Sequence, residues 1–192
     1  MKKNVLITGA NSGLGIYLTS KFKSKGYNVL EHKGHKDYDL SSTNEIKKLA
    51  EKAIDFKVNI LINNAAIVCP SKNLSLYSPL EIEDMIKVNL TTPILLSYYL
   101  HDHLTDIINI NSMVGLETKS PRTLYSATKW GLRGFSQSFK QENTNINVLD
   151  IYPTNIKTTP EKENAMDVNF VVNSIYDSFT NKQQKLILDG RK

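Results

Sequence analysis

The chain has 192 residues, 40% of them hydrophobic and 22% charged, with nine glycines and six prolines. That composition excludes disordered and fibrous classes, and no apolar run reaches the roughly 18 residues a membrane span needs. Twenty-four Lys and Arg against nineteen Asp and Glu leave a net charge of +5, but the lysines are scattered, which favours a solvated surface over a nucleic-acid face. A single cysteine, Cys69, excludes an intramolecular disulfide, fits a reducing compartment and reads as a packing residue. Met1-Lys2-Lys3 precedes an apolar stretch too short for a secretory signal, so a cytoplasmic protein is expected.

In chain order, residues 4–8 form a short apolar strand closed by glycines, and 15–25 show helical spacing through Ile16, Leu18 and Phe22. Gly26 is placed to cap that helix, and 27–32 form a second strand. Ser42-Thr43-Asn44-Glu45 has capping-box spacing and opens a helix that turns Ile46, Leu49, Ala50 and Ala53 inward. Further strands are predicted at 59–63, 107–110, 148–152 and 186–188, separated by helices near 81–100, 125–141 and 167–179. Wholly apolar strands that alternate with helices predict a doubly wound, three-layer α/β fold whose parallel sheet is covered on both faces. No repeat or linker interrupts residues 1–192, which predicts a single domain. Only five residues intervene between Lys33 and Asp39, too few for a crossover helix and another strand, so the sheet is shortened there.

Thr8-Gly9-Ala10-Asn11-Ser12-Gly13-Leu14-Gly15 lies between the first strand and the first helix. Glycines there permit a tight turn and close approach of backbone to a ligand, and the helix N-terminus offers free N–H groups to a phosphate. Alone, this spacing is equally compatible with a tight connection. The segment resembles the cofactor loop of the short-chain dehydrogenase/reductases, and further matches follow in family order: Asn63-Asn64-Ala65-Ala66, Asn89, Ser112 and the YxxxK pair Tyr125 and Lys129. Ser112 stands thirteen positions before Tyr125, as in that family. The resemblance covers nearly the whole chain and implies a Rossmann-like, NAD(P)-binding catalytic domain.

Tyr125 and Lys129 are four apart on a predicted helix, so they leave from one face. A free phenol titrates near ~10, and a nearby ammonium favours the phenolate, which brings the group closer to useful acid–base chemistry. The resemblance implies that Tyr125 exchanges a proton with a carbonyl or alcohol oxygen during hydride transfer, that Ser112 orients that oxygen, and that Lys129 also holds the nicotinamide ribose. It has Asn89 hold a water that relays protons to Lys129; otherwise Asn89 bends its own helix. Around the cofactor it implies contacts from Gly9, Asn11, Ser12, Gly13, Leu14 and Gly15 to the phosphates and from Asn64, Ala65 and Ala66 to the adenosine half. Asp39-Leu40 corresponds to the adenine contact, and Pro153, Ile156 and Thr158 to the carboxamide contact.

Two departures from the pattern shape the expectation. The place where NAD users carry an acidic residue falls on Lys33, flanked by His32 and with His35 beyond, which favours NADP, with NAD possible. Only residues 159–165 stand where the family places a substrate lid, which suggests a small, polar or macromolecule-attached substrate. His101-Asp102-His103 alternates along a predicted helix and offers no third ligand, so no metal is expected. The expected function is carbonyl or alcohol oxidoreduction by a homodimer or homotetramer, without nucleic acid or membrane. The alternative is a dinucleotide-binding regulator or scaffold without turnover.

Overall fold

A computed structural model describes residues 3–68, 71–158 and 165–191. Cys69 and positions 159–164 of the shortened lid lie outside the described residues. The chain runs β1 (Asn4–Ile7), α1 (Leu14–Ser24), β2 (Asn28–Glu31), α2 (Thr43–Asp55), β3 (Ile60–Asn63), α3 (Pro79–Ile86) and α4 (Thr92–Leu100). It continues through β4 (Asp106–Ile110), α5 (Thr123–Glu142), β5 (Asn147–Pro153), the short pair β6 (Ile156–Lys157) and β7 (Met166–Asp167), α6 (Val168–Thr180) and β8 (Lys185–Leu188).

Six strands form a parallel sheet in the order β2-β1-β3-β4-β5-β8, so the fold is a Rossmann-like, doubly wound α/β domain. Alternate residues along each strand serve opposite faces. Val5, Ile7, Ile60, Ile62 and Ile108 pack under Leu18 and Phe22 of α1 and Val171, Ile175 and Phe179 of α6. Leu6, Leu61, Ile107 and Val148 pack under Ile46 and Leu49 of α2 and Leu96 and Leu100 of α4. Each such side chain, fully buried, contributes about 1.5–3 kcal/mol of transfer free energy. β2 is the edge strand, as the short 33–39 connection requires, because a loop leads from it directly to α2.

The predicted capping box at Ser42 is only half made. Ser42 Oγ accepts from the Glu45 amide at 3.5 Å, but the Glu45 carboxylate accepts from Lys48 Nζ at 2.7 Å instead of returning to residue 42. The complete box lies at Ser78 and Glu81, with Pro79 at the first helical position, so that helix begins two residues earlier than its periodicity suggests. The single helix expected over 81–100 is two, α3 and α4, joined by one wide π turn at Lys87–Thr91. Pro93 is the physical reason: it has no amide hydrogen for the carbonyl four residues back, that of Asn89. Thr92 Oγ1 donates both to Lys87 O at 3.0 Å and to Leu40 O at 2.8 Å, which ties the wide turn to the loop after β2.

Candidate active site

Parallel strands deliver their carboxyl ends to one edge, and the order reverses at β1, whose neighbours β2 and β3 lead to opposite sides. A cavity of about 910 Å³ opens along that edge. Of the residues expected to catalyse or to contact the cofactor, all but Gly15, Lys33 and Asn89 line it.

The glycine loop forms one wall. Gly13 caps α1 with φ +51°, in the left-handed region; the Gly15 amide donates to Ser12 O at 3.0 Å, and no side chain caps the first turn. Gly15 is needed for packing: a Cβ there would stand 2.0 Å from Gly9 O. Thr8 Oγ1 accepts from the amides of Asn64 and Ala65, both at 3.0 Å, and Asn64 Nδ2 donates to Thr8 O at 2.9 Å and Gly9 O at 3.1 Å. The loop and the end of β3 are thus one unit. A pyrophosphate fits this wall, with helix amides that no side chain caps, no acidic residue in the first turn and a groove that side chains would fill.

Sequence reading missed the centrality of His32. Its ring is buried; Nδ1 accepts from the Gly9 amide at 3.2 Å and Nε2–H donates to Tyr38 O at 2.8 Å. The imidazole therefore pins the glycine loop to the 33–38 turn, and a histidine directly after the second strand is the signal for it. Lys33 points elsewhere, with Nζ 3.7 Å from Glu31 Oε2, while Gly34 and His35 line the cavity. Asp39 Oδ1 accepts from the amide of Ser41 at 2.9 Å and its hydroxyl at 2.8 Å, and these bonds hold its carboxyl below the usual carboxylate range. Leu40 is buried beneath it.

At the far wall, β4 ends in Ile110-Asn111-Ser112 and α5 brings Tyr125 and Lys129 opposite. Asn111, also missed from sequence, makes the joint: its Oδ1 accepts from the Ser112 amide at 2.9 Å and its Nδ2 donates to Lys129 O at 3.1 Å. Lys129 Nζ donates to Ile110 O at 2.9 Å and lies 5.6 Å from the Tyr125 ring centre. Both side chains are buried, at 2% and 9% exposure. Burial pulls the Lys129 ammonium down to about 8. The phenol departs from expectation: burial raises it above its ordinary value, while a hydrogen bond from Ser112 and the charge of Arg122 pull the other way. Lys129 does not reverse this, because its ammonium is turned to the Ile110 carbonyl.

Asn89 lies on the wide turn, buried, with Oδ1 accepting from the Ile67 amide at 2.7 Å and Nδ2 donating to Ile67 O at 3.0 Å and Thr128 Oγ1 at 3.4 Å. These bonds anchor the cavity-lining segment 64–68 to the wide turn. Pro153 ends β5, and Ile156 and Thr158 line the cavity beyond it, held by the β6–β7 pairing.

A family model described as short chain dehydrogenase matches residues 31–169. The 3-oxoacyl-(acyl-carrier-protein) reductase of Buchnera aphidicola is 33% identical over 190 residues, spanning 84% of this chain and 76% of its own. Among solved structures, a bulky-bulky ketone specific alcohol dehydrogenase from Comamonas testosteroni superposes with a TM-score of 0.85 at 24% identity, over 96% of this chain and 85% of that one. A short-chain dehydrogenase from Sphingobium yanoikuyae in complex with NADPH gives 0.83 at 22% identity, over 96% and 87%.

Proposed function

The chain belongs to the short-chain dehydrogenase family, and from that premise we propose that it is an NAD(P)-dependent oxidoreductase that reduces a carbonyl compound, with NADP preferred. One observation carries the reading: half-buried Ser112 and buried Tyr125 and Lys129 converge, hydrogen-bonded, on the same cavity that the glycine loop walls. When bound, the dinucleotide supplies or receives the hydride. The first-turn amides and the Gly9, Asn11, Ser12, Gly13 and Leu14 loop hold its phosphates, with Gly15 shaping that loop. Asn64, Ala65, Ala66, Asp39 and Leu40 flank the adenosine half, and Pro153, Ile156 and Thr158 meet the carboxamide end. Lys129 holds the ribose hydroxyls.

Ser112 orients the substrate oxygen and Tyr125 gives it the proton. A phenol kept protonated by burial is a donor at neutral pH, which supports reduction as the working direction. Asn89 acts through position, by fixing the Ile67 segment. In support of NADP, the turn after β2 presents His32, Gly34 and His35 to the cavity and no carboxylate before Asp39, while Lys33 turns to Glu31. One domain serves both binding and chemistry, and we assign it a homodimeric or homotetrameric state.

The test is oxidation of NADPH and NADH against a panel of small ketones and acyl thioesters. Turnover is expected, faster with NADPH, and Tyr125→Phe lowers kcat about 10²–10⁴-fold with dinucleotide binding retained. Tight dinucleotide binding with no turnover of any carbonyl favours a regulatory, non-catalytic protein instead.

A further inference from the structure

Three charged side chains follow Ser112 on the way to α5, and Glu117, Lys119 and Arg122 all line the cavity. Glu117 accepts from the Arg191 guanidinium, which also pairs with Asp189, so its charge is answered within the fold. Asp39, the acid on the adenosine side, is bonded to Ser41. Asp84, on α3, lines the cavity and makes no ion pair with either cation among the described residues. Among the described residues, Lys119 and Arg122 thus carry positive charge at the cavity wall that no acidic side chain answers.

Arg122 is the more constrained of the two. It is the residue preceding α5, three positions before Tyr125, and its Nε is buried with no hydrogen-bond acceptor among the described residues. A buried guanidinium donor without a partner is costly, and its planar fork matches the two oxygens of a carboxylate or a phosphate. We propose that Arg122, assisted by Lys119, determines specificity by gripping an anionic group carried by the carbonyl substrate. The class is a ketone with a carboxylate or phosphate on the same molecule, the carbonyl addressed by Tyr125 and the anion by the residue one helical turn before it. This inference rests on the reductase reading of Tyr125.

Acetoacetate and methyl acetoacetate share the ketone and differ at the carboxyl end, anionic in one and a neutral methyl ester in the other. The expected kcat/KM preference for the acid is about tenfold or more in the wild type, falls to near unity in Arg122→Gln and is largely kept in Arg122→Lys, with the change in KM. Arg122 also pulls the Tyr125 phenol downward, so the substitution alters kcat for both substrates, and the ratio removes that common effect. Turnover of the ester by Arg122→Gln shows that the variant folds. A second arm compares acetoacetyl-CoA with its N-acetylcysteamine thioester: an Arg122-dependent preference only here assigns the grip to the phosphate of a carrier arm. The proposal is overturned if neither anionic compound shows a preference over its neutral partner that Arg122→Gln removes. If nothing is turned over, the reductase reading falls separately, and thermal unfolding with acetoacetate decides Arg122. Stabilisation of the wild type and not of Arg122→Gln supports the grip; equal shifts or none overturn it.

Discussion

Lys129 is charged at neutral pH although the fold buries it almost completely, so the folded chain carries a desolvation cost there. Its proton affinity falls from 10.5 to about 8, which corresponds to about 3 kcal/mol of destabilisation while both folded and unfolded chains keep the proton. Above pH 8 the folded chain releases the proton first, the unfolded state binds more protons, and stability rises until 10.5. Equilibrium denaturation without dinucleotide is therefore expected to show a gain of about 2 kcal/mol between about pH 7.5 and 9.5, absent in Lys129→Met. Above pH 10 the sign reverses, because Tyr27, raised to about 12, and Tyr125, also raised by burial, keep their protons longer when folded. A flat profile from 7.5 to 9.5 in the wild type would show that water reaches the ammonium. The same burial explains why spacing alone misjudged Tyr125. The (i, i+4) interval places Lys129 on the same face, but which carbonyl its ammonium seeks depends on where β4 ends.

The wide turn between α3 and α4 converts a helix into a clamp. Asn89 there supplies both an acceptor and a donor to the backbone of Ile67, which no helix or strand satisfies. Asn89→Leu, close in volume, removes both and leaves two backbone groups unpaired at about 1–3 kcal/mol each. The expected loss is about 2–4 kcal/mol in chemical denaturation, together with an approximately tenfold weaker affinity for NADPH as the 64–68 segment loosens. Unchanged stability would mean that the turn holds itself without the clamp. Elements of this kind mark the limit of what periodicity conveys. The strands and the helices α1, α5 and α6 were legible because two-sided burial and 3.6-residue spacing are local patterns, and the glycine loop and YxxxK pair because their spacing is fixed by chemistry. The break at Lys87–Thr91 was not, since apolar residues run through it in phase; only Pro93, read for the amide it lacks, signals it. The partners of Asn111 and His32 were hidden for a different reason. They lie 18 and 23 residues away, and nothing in one sequence says which strand end faces which loop.

At the scale of the molecule, the sheet gathers its chemistry at one edge and leaves two helices of the opposite concern uncovered. α4 and α5 pack on one face of the sheet, and their outward sides carry Tyr98, 66% exposed, and Trp130, 42% exposed, with the Arg133 guanidinium 5.2 Å over the indole. Large aromatics on adjacent helices favour burial against a matching surface, and a two-fold arrangement presents the same patch to itself. We propose a second copy of the chain as the occupant, its α4 and α5 expected to complete a helical interface; stable interfaces of this kind bury roughly 1,200–2,000 Å² in total, more than two side chains supply, so engagement along the full length of both helices is expected. Light scattering at micromolar concentration is expected to give at least twice the chain mass for the wild type. Tyr98→Glu combined with Trp130→Glu places like charges at the symmetric contact and is expected to give the monomer. Because α5 also carries Tyr125 and Lys129 on its inward face, the monomer is expected to lose thermal stability and reductase activity together. A wild-type monomer at every concentration would refute the pairing while leaving the inward chemistry of α5 untouched.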